Sequence, residues 1–142
     1  MTISYDYDAD IEVLHCRVGE DLVISEVADY LRSVHLDEQI KDGSFEIVYL
    51  DHVADFALRA QNVRDAEPQL RDRFSCGRLA ATVFVGSRPL QVGIANMLSG
   101  LLVTMFPDYP APVVRGRDEA LEEIERIRSG APVAAAIEGE KT

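Results

Sequence analysis

The strongest fold signal in the sequence is LAATVFVGSRPL, residues 79–90. Its first seven residues, Leu79–Val85, are apolar except for one threonine, which is typical of a strand that is buried on both faces of a sheet. A Gly-Ser pair ends this run, and Pro89 is well tolerated in the first turn of a helix. The stretch therefore predicts a central strand that leads directly into a broadly apolar helix over about residues 90–102.

Three further strand-like runs precede this stretch. Residues 45–50 are apolar apart from Glu46, which predicts a second strand buried on both faces. Residues 3–7 alternate apolar and polar side chains, and residues 11–18 form another apolar run. The polar turn between these two runs, residues 8–10, favours an antiparallel hairpin. A helix follows the hairpin, with Ser25 placed to cap it and apolar residues at helical spacing as far as Val34.

The remaining segments alternate helix and strand. Residues 56–74 predict two helical pieces, because Pro68 breaks or starts a helix. A short strand is expected at residues 112–115. The final helix, residues 118–128, has acidic residues in its first turns and arginines at its end, as the helix dipole favours. We therefore predict one α/β domain over residues 1–130, with a mixed β-sheet, an N-terminal hairpin and about four helices. Residues 131–142 are expected to be a loose tail.

Composition and charge exclude several classes of protein. The 142 residues carry a formal net charge of −11, whereas binding to nucleic acid requires a basic face. An apolar run of about 20 residues, the length that spans a membrane, does not occur in the sequence. The N-terminal residues are acidic where a signal peptide would be basic, so we expect a cytoplasmic protein.

Motifs that would indicate catalysis or a cofactor are missing from the sequence. The segment GSRPLQVG lacks the Gly-Lys-Ser/Thr ending of a phosphate loop, and there is neither a GxGxxG nor a GxSxG sequence. The three histidines are scattered, which argues against a metal site. Cys16 and Cys76 lie far apart in apolar surroundings, and we expect both to be reduced, structural thiols. The sequence thus predicts no enzyme, no cofactor and no metal.

Two polar pairs are the candidate binding residues. Asp51 and His52 follow the buried strand at residues 45–50, and Ser87 and Arg88 follow the central strand. Ligands of open α/β sheets gather outside the carboxyl ends of the strands, so these four residues should lie together if a ligand or partner is bound there. The helix after Arg88 could also hold an anion at its N-terminus. Capping of turns and helix ends explains the same residues equally well.

The order of these segments resembles the SpoIIAA-like proteins, which are grouped with STAS domains and share a fold relation with lipid-binding CRAL-TRIO domains. The likeness covers most of residues 3–128 and is sharpest in ATVFVGSRPLQVGIANML and VVRGRDEALEEI. It implies a sheet covered by helices that acts in protein–protein regulation or binds a ligand. Anti-sigma antagonists of the wider family carry a phosphorylated serine in an Asp-Ser-Ser-Gly turn. Here Asp51 is followed by HVADFALRA, so the turn has no serine to phosphorylate.

Two functions follow as hypotheses. The first is a non-catalytic regulatory or protein-interaction module, with a regulatory protein partner and with a homodimer compatible with the sequence. The second is a carrier or sensor of a small apolar or anionic ligand, based on the CRAL-TRIO relation and the apolar helix after Pro89. A cavity lined by apolar side chains favours the second hypothesis, whereas a flat apolar surface patch favours the first.

Overall fold

The computed structural model describes residues 3–56 and 78–130, together with Pro68 and Arg71. Ten elements lie in these ranges. They are β1 (Ile3–Asp8), β2 (Val13–Val18), β3 (Asp21–Leu22), α1 (Ile24–Leu36), β4 (Ser44–Tyr49), β5 (Asp55–Phe56), β6 (Leu79–Val85), α2 (Pro89–Met105), β7 (Val113–Val114) and α3 (Arg117–Arg128).

A mixed five-stranded sheet organises the protein. Its strands lie in the order β1-β2-β4-β6-β7. The hairpin of β1 and β2 is antiparallel, with Ile3 opposite Val18 and Asp8 opposite Val13. All later neighbours in this sheet are parallel. The α/β class, the mixed sheet and the N-terminal hairpin are confirmed.

Helices cover both faces of the sheet. Because side chains alternate along a strand, Val48 and Phe84 face one side while Ile47 and Val83 face the other. The first side forms a core with α1 and α2. The second side forms a separate core with α3, in which Ala120 and Ile124 are fully buried.

The helix boundaries differ from the predicted ones. Ser25 does not cap α1, because the helix begins at Ile24, one residue before Ser25, and its N-cap is Val23, which makes no side-chain cap bond. The predicted cap was wrong because a tertiary contact sets the start of the helix. Leu22 pairs with Phe56 in a short parallel ladder of β3 and β5, directly before α1. The sequence did not predict this two-residue pair. Helix α2 is also longer than predicted, at Pro89–Met105.

Three helices have their full bounds in the described part of the chain, and Pro68 and Arg71 are also helical, where about four helices were predicted for the whole chain. Phe56, the first residue of the predicted helical segment, is a strand residue in β5. The rest of that segment lies outside the described residues except for Pro68 and Arg71, as do Cys76 and the predicted tail at 131–142.

Arg78 joins the end of α1 to the start of the central strand. Its Nη1 donates to the carbonyl oxygens of Val34, His35 and Asp37 at 2.9–3.0 Å. Its Nη2 donates to the carbonyl of Ile40. These acceptors lie at and just beyond the C-terminus of α1, where carbonyl groups lack partners within the helix. One guanidinium therefore fixes where α1 ends relative to β6.

Candidate functional site

The sheet edge at the carboxyl ends of β4 and β6 brings three of the four predicted site residues together. The backbone N–H and the Oγ of Ser87 both donate to Oδ1 of Asp51, each at 3.1 Å. Arg88 donates through Nη2 to the backbone carbonyl of Asp51 at 2.8 Å. His52 follows Asp51 and is exposed, and none of these three bonds involves it.

These contacts tie the ends of two neighbouring strands to each other. Ser87 and Arg88, which were expected to bind a ligand together with Asp51, instead bond to its carboxylate and its backbone carbonyl. Arg88 occupies the N-cap position of α2 but makes no side-chain cap bond, and the Ser87 hydroxyl donates to Asp51 instead. The backbone is also tightly packed there, since a Cβ on Gly86 would lie 2.9 Å from backbone atoms of Gln91. A ligand role for Asp51, His52, Ser87 and Arg88 stays a prediction.

A second site lies on the face of the sheet that α1 and α2 cover. A cavity of about 110 Å³ lies between the two helices and the strands. The described residues that line it are mostly aliphatic. They are Ile3, Cys16, Val18, Leu22, Val27, Tyr30, Leu31, Glu46, Val48, Leu50, Thr82, Phe84, Leu98, Leu101, Leu102 and Met105. The alternation that points Val48 and Phe84 towards α1 and α2 also points Glu46 and Thr82 there.

Glu46 is the one acidic side chain among these lining residues, and it is 2% exposed. Its Oε2 accepts a hydrogen bond from the Tyr30 hydroxyl of α1. Its Oε1 accepts one from the Oγ1 of Thr82 at 2.6 Å, and Thr82 is its register partner on β6. The hydroxyl of Tyr109 lies 2.7 Å from the same Thr82 oxygen. A hydrogen-bonded chain of side chains thus ends at the carboxyl group.

Burial governs the protonation of this cluster. It raises the pKa of Glu46, because a carboxylate loses its hydration there, and the bonds from Thr82 and Tyr30 oppose the rise. Burial also raises the pKa of Tyr30, and the nearby Glu46 carboxyl adds to that rise. Burial raises the pKa of the Cys16 thiol as well. Cys16 is a free, buried cysteine, so it behaves as part of the apolar wall.

Sequence reasoning did not select Glu46, although one signal was present. Glu46 interrupts an otherwise apolar strand that was predicted to be buried on both faces. Acidic residues are rarely buried without partners. An acid inside such a strand therefore indicates either a partnered structural group or a binding residue. The sequence could not identify Tyr30 as its partner, because that contact joins a helix to a strand 16 residues away.

Among the described residues, no group of three or more His, Cys, Asp or Glu side chains is placed to hold a metal ion. Within the same ranges, no helix combines the length and the apolar character needed to cross a membrane. No protein-family model and no curated protein matches this chain.

Proposed function

We propose that this protein is a non-catalytic regulatory module that binds a small apolar ligand in the cavity between α1, α2 and the sheet. The observation that carries the proposal is this cavity of about 110 Å³ with its aliphatic walls. Protein interiors are normally packed with few voids larger than a water molecule. A cavity lined by Leu, Ile and Phe side chains stays dry and takes up apolar molecules such as benzene.

The size of the cavity limits the ligand. An engineered apolar cavity of about 150 Å³ accommodates benzene. The cavity here is somewhat smaller, so it suits a group of about six heavy atoms, or the end of a longer molecule. Transfer of such a group out of water is favourable by about 25 cal/mol for each Å² of apolar surface removed from water.

The surface gives less support to the alternative of a protein-interaction module. The exposed large apolar residues in the described ranges are Ile11, Leu36, Leu90 and Val103. Leu90 and Val103, which are 48% and 45% exposed, both belong to α2. At 3.6 residues per turn they lie about 140° apart around the helix axis. Side chains scattered in this way do not form the single flat patch that marks a docking surface.

The proposal is tested by titrating the full chain with toluene while recording NMR spectra of its methyl groups. We expect the methyl signals of lining residues, such as Leu31 and Leu98, to shift with a saturable dependence on toluene. Those of Leu90 and Val103 should not shift. Bound toluene should also raise the melting temperature, because a ligand that binds only the folded state stabilises it.

A filled cavity provides the matched control. Leu98→Phe adds volume within the cavity wall, whereas Val103→Phe makes the same kind of change on the exposed side of the same helix. We expect Leu98→Phe to weaken toluene binding roughly tenfold or more and Val103→Phe to leave it unchanged. Unshifted methyl signals in the unsubstituted protein at saturating toluene would refute the proposal, whatever the variants do.

A further inference from the structure

Strand β1 is an open edge of the five-stranded sheet. It lies at one end of the strand order and pairs with β2. Residues of an antiparallel strand direct their backbone N–H and C=O groups alternately to either side, so about half of those in β1 point away from β2. Among the residues that the structure describes, no strand pairs with this outer side and no further backbone hydrogen bond involves β1. These backbone groups are therefore available to an additional strand.

The edge has few of the features that normally block such pairing. Natural edge strands are protected by proline, by a bulge, by shortness or by charged side chains, lysine above all. Strand β1 is six residues long, and its register with β2 runs without a shift from Ile3 to Asp8. Its sequence, ISYDYD, contains neither proline nor lysine. Of the protective features it has charged side chains alone, and both of these are aspartates.

The two faces of β1 differ in their chemistry. Tyr5 and Tyr7 pack against the core that α1 and α2 cover. Because side chains alternate along a strand, Ser4, Asp6 and Asp8 share the opposite face. Ser4 and Asp6 are exposed, and the other three side chains are half-buried. A strand added to this edge would thus lie beside carboxylates on one face and beside aromatic rings on the other.

Both carboxylates keep one oxygen for a new partner. Oδ1 of Asp6 accepts a hydrogen bond from Nη1 of Arg17, and Oδ1 of Asp8 accepts bonds from backbone N–H groups of the turn that follows. In the described ranges, the Oδ2 atoms of these two aspartates make no hydrogen bond. The side chain of Asp6 is 68% exposed, so a partner can reach it.

Charge decides which kind of strand fits this edge. Pairing of β1 with a second copy of itself would bring the aspartates of the two strands together, and like charges opposite each other are destabilising. Each copy also carries a formal net charge of −11, which repels a second copy and attracts basic partners.

We propose that β1 binds an extended segment of a partner protein in which basic residues alternate with β-branched residues. The main chain of this segment would add a strand to the sheet. Its basic side chains would lie about 5 Å from Asp6 and Asp8, and its β-branched side chains would contact Tyr5 and Tyr7. Main-chain hydrogen bonds supply the affinity in this mode, so it requires no flat apolar patch. The inference goes beyond the proposed function and does not depend on the cavity.

Three peptides test the inference on the full chain. Lys-Thr-Lys-Val-Lys-Thr has the alternating pattern, Lys-Lys-Lys-Thr-Val-Thr has the same composition without it, and Glu-Thr-Glu-Val-Glu-Thr has the opposite charge. Affinities are measured by NMR titration at low ionic strength, where charge pairs are least screened. We expect the alternating lysine peptide to bind more tightly than the block peptide and at least roughly tenfold more tightly than the glutamate peptide.

Hydrogen exchange of the β1 amides shows whether the peptide pairs with the edge. The amides that point away from β2 should exchange rapidly in the free protein. We expect the alternating lysine peptide to slow exchange at these alternate positions, because each amide then donates to the peptide backbone. Exchange in α3 should not change.

Two variants of equal net charge separate local from general attraction. Asp6→Asn removes a charge at the edge, and Asp29→Asn removes one at an exposed position in α1. We expect Asp6→Asn to weaken binding of the alternating lysine peptide roughly threefold and Asp29→Asn to leave it nearly unchanged. Loss of the exposed Asp6–Arg17 pair should cost little stability, so both variants should fold.

Several outcomes would overturn the inference. Binding that left exchange of the β1 amides unchanged would mean general attraction to an acidic protein, as would equal binding of the block peptide or equal effects of the two variants. Slow exchange of the outward amides in the free protein would mean that a second copy or another part of the chain covers the edge. Absence of binding at low ionic strength would also overturn it and would leave the cavity proposal untouched.

Discussion

At the scale of single residues, Glu46 shows how one buried acid is accommodated. Its strand neighbours Phe45 and Ile47 face the second core, whereas Glu46 faces the α1 and α2 side and requires polar partners there. Tyr30 and Thr82 supply them. Both hydroxyls donate to the carboxyl, which lowers the cost of its charged form but does not remove it. The residual cost is expressed as the raised pKa of Glu46.

This raised pKa makes folding stability depend on pH in a direction opposite to that of most carboxyl groups. The folded state binds the Glu46 proton more tightly than the unfolded chain, where the pKa has its ordinary value near 4.5. The stabilisation from that proton is fully present below this value and is lost as the pH rises through the raised pKa. Each unit of increase in the pKa corresponds to about 1.4 kcal/mol.

We therefore expect Glu46→Gln to flatten the pH dependence of stability. The free energy of unfolding, from urea titrations between about pH 4 and pH 8, should fall less with rising pH in the variant than in the unsubstituted protein. Other acidic groups titrate in both proteins, so the difference between the two curves isolates Glu46. Parallel curves would show that Glu46 titrates alike in the folded and unfolded states.

At the scale of elements, α3 illustrates a helix whose sequence pattern and packing agree. Ala120 and Ile124 are buried against the second face of the sheet, while Glu122 and Glu125 are exposed. The first turn of the helix contains Asp118 and Glu119 and its last turn contains two arginines, which complement the helix dipole. Both its position and its buried stripe were predicted from the sequence.

Ile124→Asp should therefore destabilise the protein by at least about 3 kcal/mol, because a carboxylate would replace a side chain that is 1% exposed in an apolar core. Thermal melting checks this expectation, and Glu122→Asp serves as the control on the exposed side of the same helix. A shift of the melting temperature no larger than that of the control would mean that α3 is not docked through Ile124.

At the scale of the whole molecule, the sheet separates two cores. Strand β2 lies inside the sheet between β1 and β4, and its apolar side chains pack into the cores on the two faces of the sheet. Cys16 on β2 is 2% exposed and faces the α1 and α2 core. A reagent reaches this thiol only when that core opens, and burial raises the pKa of the thiol as well.

The reactivity of Cys16 thus reports on opening of the structure. In a Cys76→Ser variant, where Cys16 is the remaining thiol, we expect labelling by a thiol reagent to be roughly a thousandfold slower than in denaturant. A Cys16→Ser, Cys76→Ser variant with Leu36→Cys places a thiol at a position that is 62% exposed and should label rapidly. Equal rates in the two proteins would indicate that the core around Cys16 is open in solution.

The candidate sites, like the fold, could be predicted from the sequence only in part. Strand topology was enough to predict that Asp51, Ser87 and Arg88 would meet, because neighbouring parallel strands end at the same edge of a sheet. Topology could not predict that these groups would bond to each other. Nor could it predict the cavity, whose walls come from two helices and several strands that are distant in sequence.

Local sequence patterns predicted the α/β class, the hairpin, the buried strands at residues 45–50 and 79–85 and the buried stripe of α3. These features depend on apolar periodicity within about 15 residues, which the chain carries locally. Tertiary contacts set the start of α1, the β3–β5 pair, the partners of Arg78 and the contact of Tyr30 with Glu46. Each of these features depends on which side chains and backbone groups from distant parts of the sequence come into contact. Burial of those groups then shifts their pKa values.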